Sequence, residues 1–194
     1  MEATAPKPLP YGDHLCPWWL AYTFDNPLRR LVHPPDQVLR KYVQAGMTVM
    51  DLGCGFGHFC LGLARLVGGD GQVLAVDLQQ KMLDKTMSRA RRAGLAARIE
   101  PRLCGPDGLG IEDKIDFALA ANVLHEVGDL PGFLAEVFSL LRPGGLFYAM
   151  EPSWHVKAGP FEAEIELALE AGFVEVERPR LISERCVVFR TPVK

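Results

Sequence analysis

Residues 49–57, Val-Met-Asp-Leu-Gly-Cys-Gly-Phe-Gly, are the segment best suited to chemistry. A short apolar run ends in Asp51, and Gly53, Gly55 and Gly57 follow at alternate positions. The pattern reads as a strand entering a tight turn and then a helix. Glycines there let backbone N–H groups come close to a bound ligand. A second strand-like run ends in Asp77, 22 residues after Gly55. A carboxylate at that distance suits a ribose diol, so the two segments together point to a nucleoside-bearing cofactor.

Candidates for acid–base work lie further along. His125 stands three residues past Asn122 and beside Glu126, a neighbour able to tune its imidazole. The reading divides between an acid–base residue and one that caps the turn. His155 closes the run Glu151-Pro-Ser-Trp-His155 after an apolar strand, where Glu151, Trp154 and His155 can touch substrate or simply form a polar loop. Near the N-terminus, His14, Cys16, Trp18, Trp19, Tyr22 and Phe24 form an aromatic-rich segment. It packs a helix or walls a pocket, with Tyr22 offering a hydroxyl. His14 and Cys16 supply two soft ligands, too few for a metal site, and no metal is expected.

These residues need a scaffold to converge. From residue 48 the chain alternates: strands at 48–52, 72–76, 98–103, 115–121 and 146–150, with helices at 58–67, 79–93, 130–141 and 161–171. Two last strands, 173–177 and 186–190, form an antiparallel edge. Glycine closes two helices, at Gly94 and Gly172, and Pro143-Gly-Gly145 stops a third. Before residue 48, a helix is expected at 28–32 and another at 35–45. This order predicts an α/β fold, a doubly wound, Rossmann-like, mostly parallel seven-stranded sheet with an antiparallel C-terminal edge strand and helices on both faces. Residues 1–45 read as an N-terminal helical extension or substrate cap, and 46–194 as the cofactor-binding domain.

The bulk properties fit one domain of 194 residues that is 48% hydrophobic. A formal net charge of -3 gives no electrostatic case for nucleic acid. Lys85, Arg89 and Arg92 share a helix face that reads as a solvated surface before a functional patch. The N-terminus lacks the apolar core of a secretory signal and no run is long enough to span a membrane, so the chain reads as cytoplasmic. Five cysteines, odd in number and irregular in spacing, read as reduced thiols.

Four segments in order give a resemblance: Asp51-Leu-Gly-Cys-Gly-Phe-Gly57, Asp77, residues 116–126 (Asp-Phe-Ala-Leu-Ala-Ala-Asn-Val-Leu-His-Glu), and Leu140-Leu-Arg-Pro-Gly-Gly-Leu-Phe147. Over roughly residues 40–191 the chain resembles the class I S-adenosylmethionine-dependent methyltransferases, in particular small members of the type 11 kind. The resemblance implies S-adenosylmethionine as cofactor and S-adenosylhomocysteine as product. It implies that Gly53, Cys54 and Gly55 pass under the methionyl part, and that Asp51 orients the loop or meets the ammonium through water. Asp77 would take both ribose hydroxyls, Leu78 one adenine face, and Asn122 the transfer site. Asn122 has a plainer role in closing its strand turn. The chain departs from the family after the third strand, at Leu103-Cys-Gly-Pro-Asp-Gly-Leu109. There Asp107, Cys104 or a backbone carbonyl would meet the adenine amine.

The resemblance implies methyl transfer to a small molecule, with O, N, S and C acceptors all open. Arsenite methylation is disfavoured because the longer domain arrangement and the C-terminal cysteines of those enzymes are missing. Quinone C-methyltransferases share the motifs, but this chain is short after its fifth strand. The alternatives are a protein or RNA methyltransferase, or a binding protein of the same fold that does not turn over. The fourth motif lacks the Asn-Pro-Pro-Tyr pattern associated with exocyclic amino groups. A monomer and a homodimer fit equally.

Overall fold

The computed structural model describes residues 34–105 and 108–193. Within them, seven strands form one sheet in the order β3-β2-β1-β4-β5-β7-β6. The strands are β1 Thr48–Leu52, β2 Gln72–Asp77, β3 Ile99–Leu103, β4 Ile115–Ala121, β5 Leu141–Pro152, β6 Val174–Glu177 and β7 Glu184–Arg190. The helices are α1 Pro35–Leu39, α2 His58–Leu66, α3 Gln80–Arg92, α4 Leu130–Leu140 and α5 Ala158–Glu170. Strands β1 to β5 are mutually parallel, and β7 runs antiparallel to both β5 and β6.

Strand periodicity decides the two faces. Side chains alternate across a sheet, so each strand splits its apolar residues between two cores. Met50, Leu74, Val76, Ala118, Ala120, Phe147 and Phe189 face one core with α4 and α5. Val49, Val73, Ala75, Phe117, Leu119, Tyr148 and Val188 face the other with α1, α2 and α3. Near-continuous apolar runs in β4 and β5 suit strands covered on both sides. Order reverses between β1 and β4, which opens a crevice at their carboxyl ends.

The structure differs from the sequence reading in several places. The last two strands form the expected antiparallel edge, but in the order β7 then β6: β7 lies between β5 and β6, and β6 is outermost. Burial explains this, since Cys186, Val187, Val188 and Phe189 are all buried whereas β6 leaves Val174 and Val176 exposed. The edge strand also carries Glu175 and Glu177, charges that discourage further pairing. The expected 146–150 strand runs from Leu141 to Pro152. Ile115 pairs with Leu141 and Phe117 with Leu146, so residues 142–145 form a bulge at the strand's start. Gly145 is required there, because a Cβ would lie 2.9 Å from the Arg142 carbonyl oxygen and 3.2 Å from that of Asp116.

Helix α5 starts before the expected residue 161, and Pro160 fits its first turn. Helix α1 ends at Leu39, short of the expected 45, where the Leu39 carbonyl accepts both Tyr42 and Val43 N–H groups. The described end of the expected N-terminal extension is part of the domain core. Leu39, Tyr42 and Val43 are buried, and the Tyr42 and Tyr148 rings meet edge-on at 5.3 Å. The helix expected at 28–32 lies outside the described residues.

Two glycines ahead of β2 make a stability test. A Cβ on Gly71 would meet the Val67 Cβ at 2.5 Å and the Met47 carbonyl oxygen at 2.7 Å, while one on Gly69 would meet nothing within 4 Å. Gly71→Ala should cost roughly 1–3 kcal/mol by overpacking. Gly69→Ala should be neutral or stabilise by about 0.4–1 kcal/mol through the unfolded chain. Urea denaturation of both variants checks the contrast.

Candidate active site

The glycine turn after β1 crosses from strand to helix with three residues in the left-handed region, Gly53 at φ 62°, Gly55 at 53° and Gly57 at 76°. Side chains other than glycine rarely tolerate this backbone. A Cβ on Gly53 would lie 2.5 Å from the Val123 side chain, and one on Gly57 2.8 Å from that of Thr86. Nothing stands within 4 Å of a Cβ on Gly55, which borders open space.

Neighbouring elements clasp this turn. Asp77 at the end of β2 accepts the Gly55 N–H on one oxygen and the Gln79 N–H on the other, each at 2.9 Å. From α3, Thr86 donates to the Gly55 carbonyl at 2.8 Å and Arg89 donates to the Phe56 carbonyl at 2.8 Å. Lys85 sits 6.0 Å from the centre of the Phe56 ring. So two members of the basic face expected to be solvated, Lys85 and Arg89, support the turn. Sequence reasoning missed Thr86, although it falls in the buried stripe of α3 with Met82, Leu83 and Ala90.

Asp51 and Cys54 lie beneath the turn, both buried. The Cys60 thiol of α2 donates to Asp51 Oδ2 at 2.9 Å. Burial foremost, then Cys54 and the Asp51 charge, push the Cys60 thiol well up, so it stays a protonated donor. Burial also raises Asp77, although backbone N–H groups from Gln79, Gly55 and Leu78 counter it. Backbone N–H groups reach both Asp77 oxygens, and a carboxylate's roughly four lone-pair sites leave capacity for a hydroxyl. Leu78, and Leu103 opposite Asp77 in the β2–β3 register, expose apolar surface beside it. Cys104 follows, its N–H on the Asp77 carbonyl. Burial and the Asp77 charge raise its thiol to about 11. Asp107 and Tyr22, with His14, Cys16, Trp18, Trp19 and Phe24, lie outside the described residues.

Across the crevice, β4 ends in Asn122, itself left-handed at φ 62°. Its N–H bonds the Met150 carbonyl, but its buried side-chain oxygen has no hydrogen-bond partner among the described residues. A buried acceptor left unpaired is costly, and a ligand donor would satisfy it.

The two candidate histidines come together. The rings of His125 and His155 meet edge-on at 5.0 Å, with Trp154 5.4 Å from His155. The carboxylate that tunes His125 is chiefly Glu151. Its Oε2 lies 2.5 Å from His125 Nδ1, while Glu126 Oε1 stands 3.9 Å from Nε2. Glu151 is fully buried, and its Oε1 also accepts the Val123 and Leu124 N–H groups at 3.2 and 2.8 Å. Glu151 is therefore an anchor inside the domain, not the substrate contact that the sequence suggested. Burial pushes the His125 imidazole down, but the Glu151 bond and the charges of Glu151 and Glu126 outweigh it and raise its pKa.

Behind this pair lies Glu164 of α5, buried, with Oε2 unpartnered among the described residues. Burial and the charge of Glu151 push its carboxyl up to about 9, so it is held neutral. Among the described residues no cluster of three or more His, Cys, Asp or Glu could hold a metal. No helix there is long and apolar enough to cross a membrane.

A left-handed glycine turn beside a strand-end carboxylate, at the point where strand order reverses, defines an α/β domain of the nucleoside-cofactor-binding class. A family model described as a methyltransferase domain matches residues 43–185, and the chain belongs to this family. The ubiquinone biosynthesis O-methyltransferase of Nitrobacter winogradskyi is 30% identical over 132 residues, 64% of this chain and 48% of that protein. The chain spans about half the length of the curated relatives it matches. Among solved structures, a SAM-dependent methyltransferase from Aquifex aeolicus superposes with a TM-score of 0.79 at 21% identity, covering 91% of this chain and 98% of that one. The [4+2]-cyclase SpnF shares the fold at a TM-score of 0.72 and 19% identity, covering 84% and 82%. The residues present fit S-adenosylmethionine: open space at Gly55, free lone pairs on Asp77, and an unpaired acceptor on Asn122.

Glu164 gives this region a pH signature. A carboxyl held near 9 in the fold and near 4.5 when unfolded binds its proton more tightly in the native state. Stability from this group is therefore full below about 4.5 and falls as pH rises towards about 9, by up to about 1.4 kcal/mol per unit. Glu164→Gln removes the ionisation. Thermal unfolding from pH 5 to 8 should show the variant gaining on the wild type as pH rises. Parallel curves would mean that Glu164 titrates normally.

Proposed function

We propose that this protein binds S-adenosylmethionine in the crevice between β1 and β4 and transfers its methyl group to a small-molecule acceptor. The observation that carries the reading is the Asp77 carboxylate fixed by the Gly55 and Gln79 N–H groups at the mouth of the glycine turn. A carboxylate oriented in advance binds a ribose diol without paying to order itself. When bound, the cofactor supplies an electrophilic methyl on a positively charged sulfur.

The chain's residues do the rest. Asp77 holds the ribose, the Gly53–Gly57 backbone passes beneath the methionyl part, and Leu78 and Leu103 offer apolar surface to the adenine. Asn122 presents its unpaired oxygen to the ligand. His125 and His155 stand on the acceptor side, beyond β4 and β5. Their task is to align the nucleophile, since a direct displacement gains most from orientation. Tyr22 of the N-terminal segment and Asp107 of the β3–β4 connection remain candidates for the acceptor and adenine sides.

A small acceptor is supported by relatives such as the ubiquinone biosynthesis O-methyltransferase, and by a net charge of -3, which does not favour RNA. A cytoplasmic, metal-independent enzyme is the reading consistent with these features.

Titration calorimetry with S-adenosylhomocysteine tests cofactor binding. Asp77→Ala should weaken it roughly 10- to 100-fold, the loss of about 1.5–3 kcal/mol expected for hydroxyl bonds to a charged acceptor. Unchanged affinity would move the ribose elsewhere. Methyl-labelled S-adenosylmethionine, offered with a small-metabolite extract, a protein mixture or tRNA, should label only the first.

A further inference from the structure

We propose that His125, oriented by Glu151, is the general base of this site, and that the acceptor is therefore a hydroxyl whose proton must be removed during transfer. The inference rests on the function proposed above and goes further, by naming the reacting atom and the residue that takes its proton.

The carboxylate of Glu151 accepts two backbone N–H groups on Oε1, which leaves Oε2 for His125 Nδ1 at 2.5 Å. A carboxylate accepts and does not donate, so Nδ1 carries the proton and Nε2 holds a lone pair in the neutral ring. Among the described residues Nε2 makes no hydrogen bond, and Glu126 Oε1 stands 3.9 Å from it. The His155 ring, edge-on at 5.0 Å, limits rotation of the imidazole. An oriented base beside a buried carboxylate is the arrangement that lets a histidine take a proton and become a stabilised cation.

The charge balance around the pair agrees. Glu126 faces His125 from its own turn, Glu151 from β5 and His155 from the loop after β5. Glu164 of α5 lies behind Glu151. Arg185 of β7 is opposite Glu151 in register, yet its Nε donates to the Val156 carbonyl at 3.0 Å. Glu164 stays neutral, so Glu151 is the fully buried carboxylate against His125, with the partly exposed Glu126 at 3.9 Å, and a cation formed on proton uptake meets a counterion already in place. A thiolate or other preformed anion would need none of this.

In the step itself, a lone pair of the acceptor oxygen forms the new O–C bond as the C–S bond breaks and its electron pair returns to sulfur. The O–H proton passes to His125 Nε2. The products are a methyl ether, a neutral thioether and an imidazolium–carboxylate pair, which releases its proton to water before the next cycle.

The test uses the full chain, methyl-labelled S-adenosylmethionine, and two probes at pH 8: phenol, which ionises near 10 as tyrosine does, and 4-nitrophenol, which is already largely anionic. His125→Gln should slow phenol methylation at least about 100-fold, the usual worth of a general base. It should slow 4-nitrophenol methylation only a few-fold and leave S-adenosylhomocysteine affinity unchanged by calorimetry. Glu151→Gln tests the orienting role. Its amide oxygen can keep both backbone bonds while its N–H₂ group donates to Nδ1 and forces the proton onto Nε2. The acid limb of kcat/KM should then move to lower pH and the maximum should fall. In ¹⁵N spectra, the wild-type His125 should be protonated at Nδ1 and the variant's at Nε2.

Equal losses on both probes, no loss on either, or no methylation of a phenol by a protein that binds S-adenosylhomocysteine would overturn the base. Failure of the wild type to bind S-adenosylhomocysteine would instead defeat the functional reading beneath it.

Discussion

The glycine turn between β1 and α2 is the constraint around which the site is arranged. A chain leaving a central strand must start a helix within five residues and still point its N–H groups outward. It does so through three left-handed residues, a conformation only glycine adopts cheaply. Such a turn has no side chains of its own to hold it, so its neighbours supply the restraint. Asp77 ties the Gly55 N–H to β2, and Thr86 and Arg89 tie two carbonyls to α3. The missing Cβ of Gly57 lets Thr86 approach that closely. Residues that read as ligand contacts are thus also structural: Asp77 positions the turn before it can meet any ribose.

A second economy operates at the ends of β4 and β5. Two carboxyls, Glu151 and Glu164, are buried near one another, and both cannot ionise cheaply. Glu151 receives two backbone N–H groups and an imidazole. Glu164 has an unpartnered oxygen and keeps its proton. Unequal hydrogen bonding decides which one carries the charge. That asymmetry leaves a single well-supported anion against His125, and it fixes the turn after Asn122 at the same time. Structure and chemistry share one side chain here, so replacing Glu151 by an apolar residue would disturb both, whereas glutamine separates them.

Much of this was legible in the sequence because the signals were local. Alternation in β1, β2 and β4 and the glycine spacing located the crevice. The Leu-Arg-Pro-Gly-Gly run marked the end of α4, since the chain before a proline leaves helical geometry. That run also begins β5 as a bulge, which depends on carbonyls of residues 116 and 142 closing on Gly145 and has no local signature. The place of β7 inside the sheet depended on comparing burial of two strands, a tertiary competition. Glu151 was read as either a substrate contact or part of a polar loop, because it leads into Pro-Ser-Trp-His after the apolar strand. Its inward direction follows from pairing through Pro152, which extends the strand beyond where the apolar pattern stops. Glu164 gave no signal at all: in helix α5, Glu162, Glu164, Glu166 and Glu170 look alike until packing buries one of them.

Fold alone leaves the reaction open, because a [4+2]-cyclase and methyltransferases share this architecture. What separates the possibilities is how each side of the crevice is built. The cofactor side is backbone and one carboxylate, which recognise a nucleoside whatever is done with it. The side proposed for the acceptor is side chain: two imidazoles meeting edge-on, one of them tied to a buried anion. The two backbone N–H groups on Glu151 Oε1 account for its hold on the turn after Asn122, but not for the imidazole on Oε2. Burying the Glu151 carboxylate has a desolvation cost, which its three hydrogen bonds offset. The arrangement becomes intelligible if a positive charge appears transiently on the ring in front of it. Proton uptake by His125 would produce that charge at the place where the fold has already put its counterion.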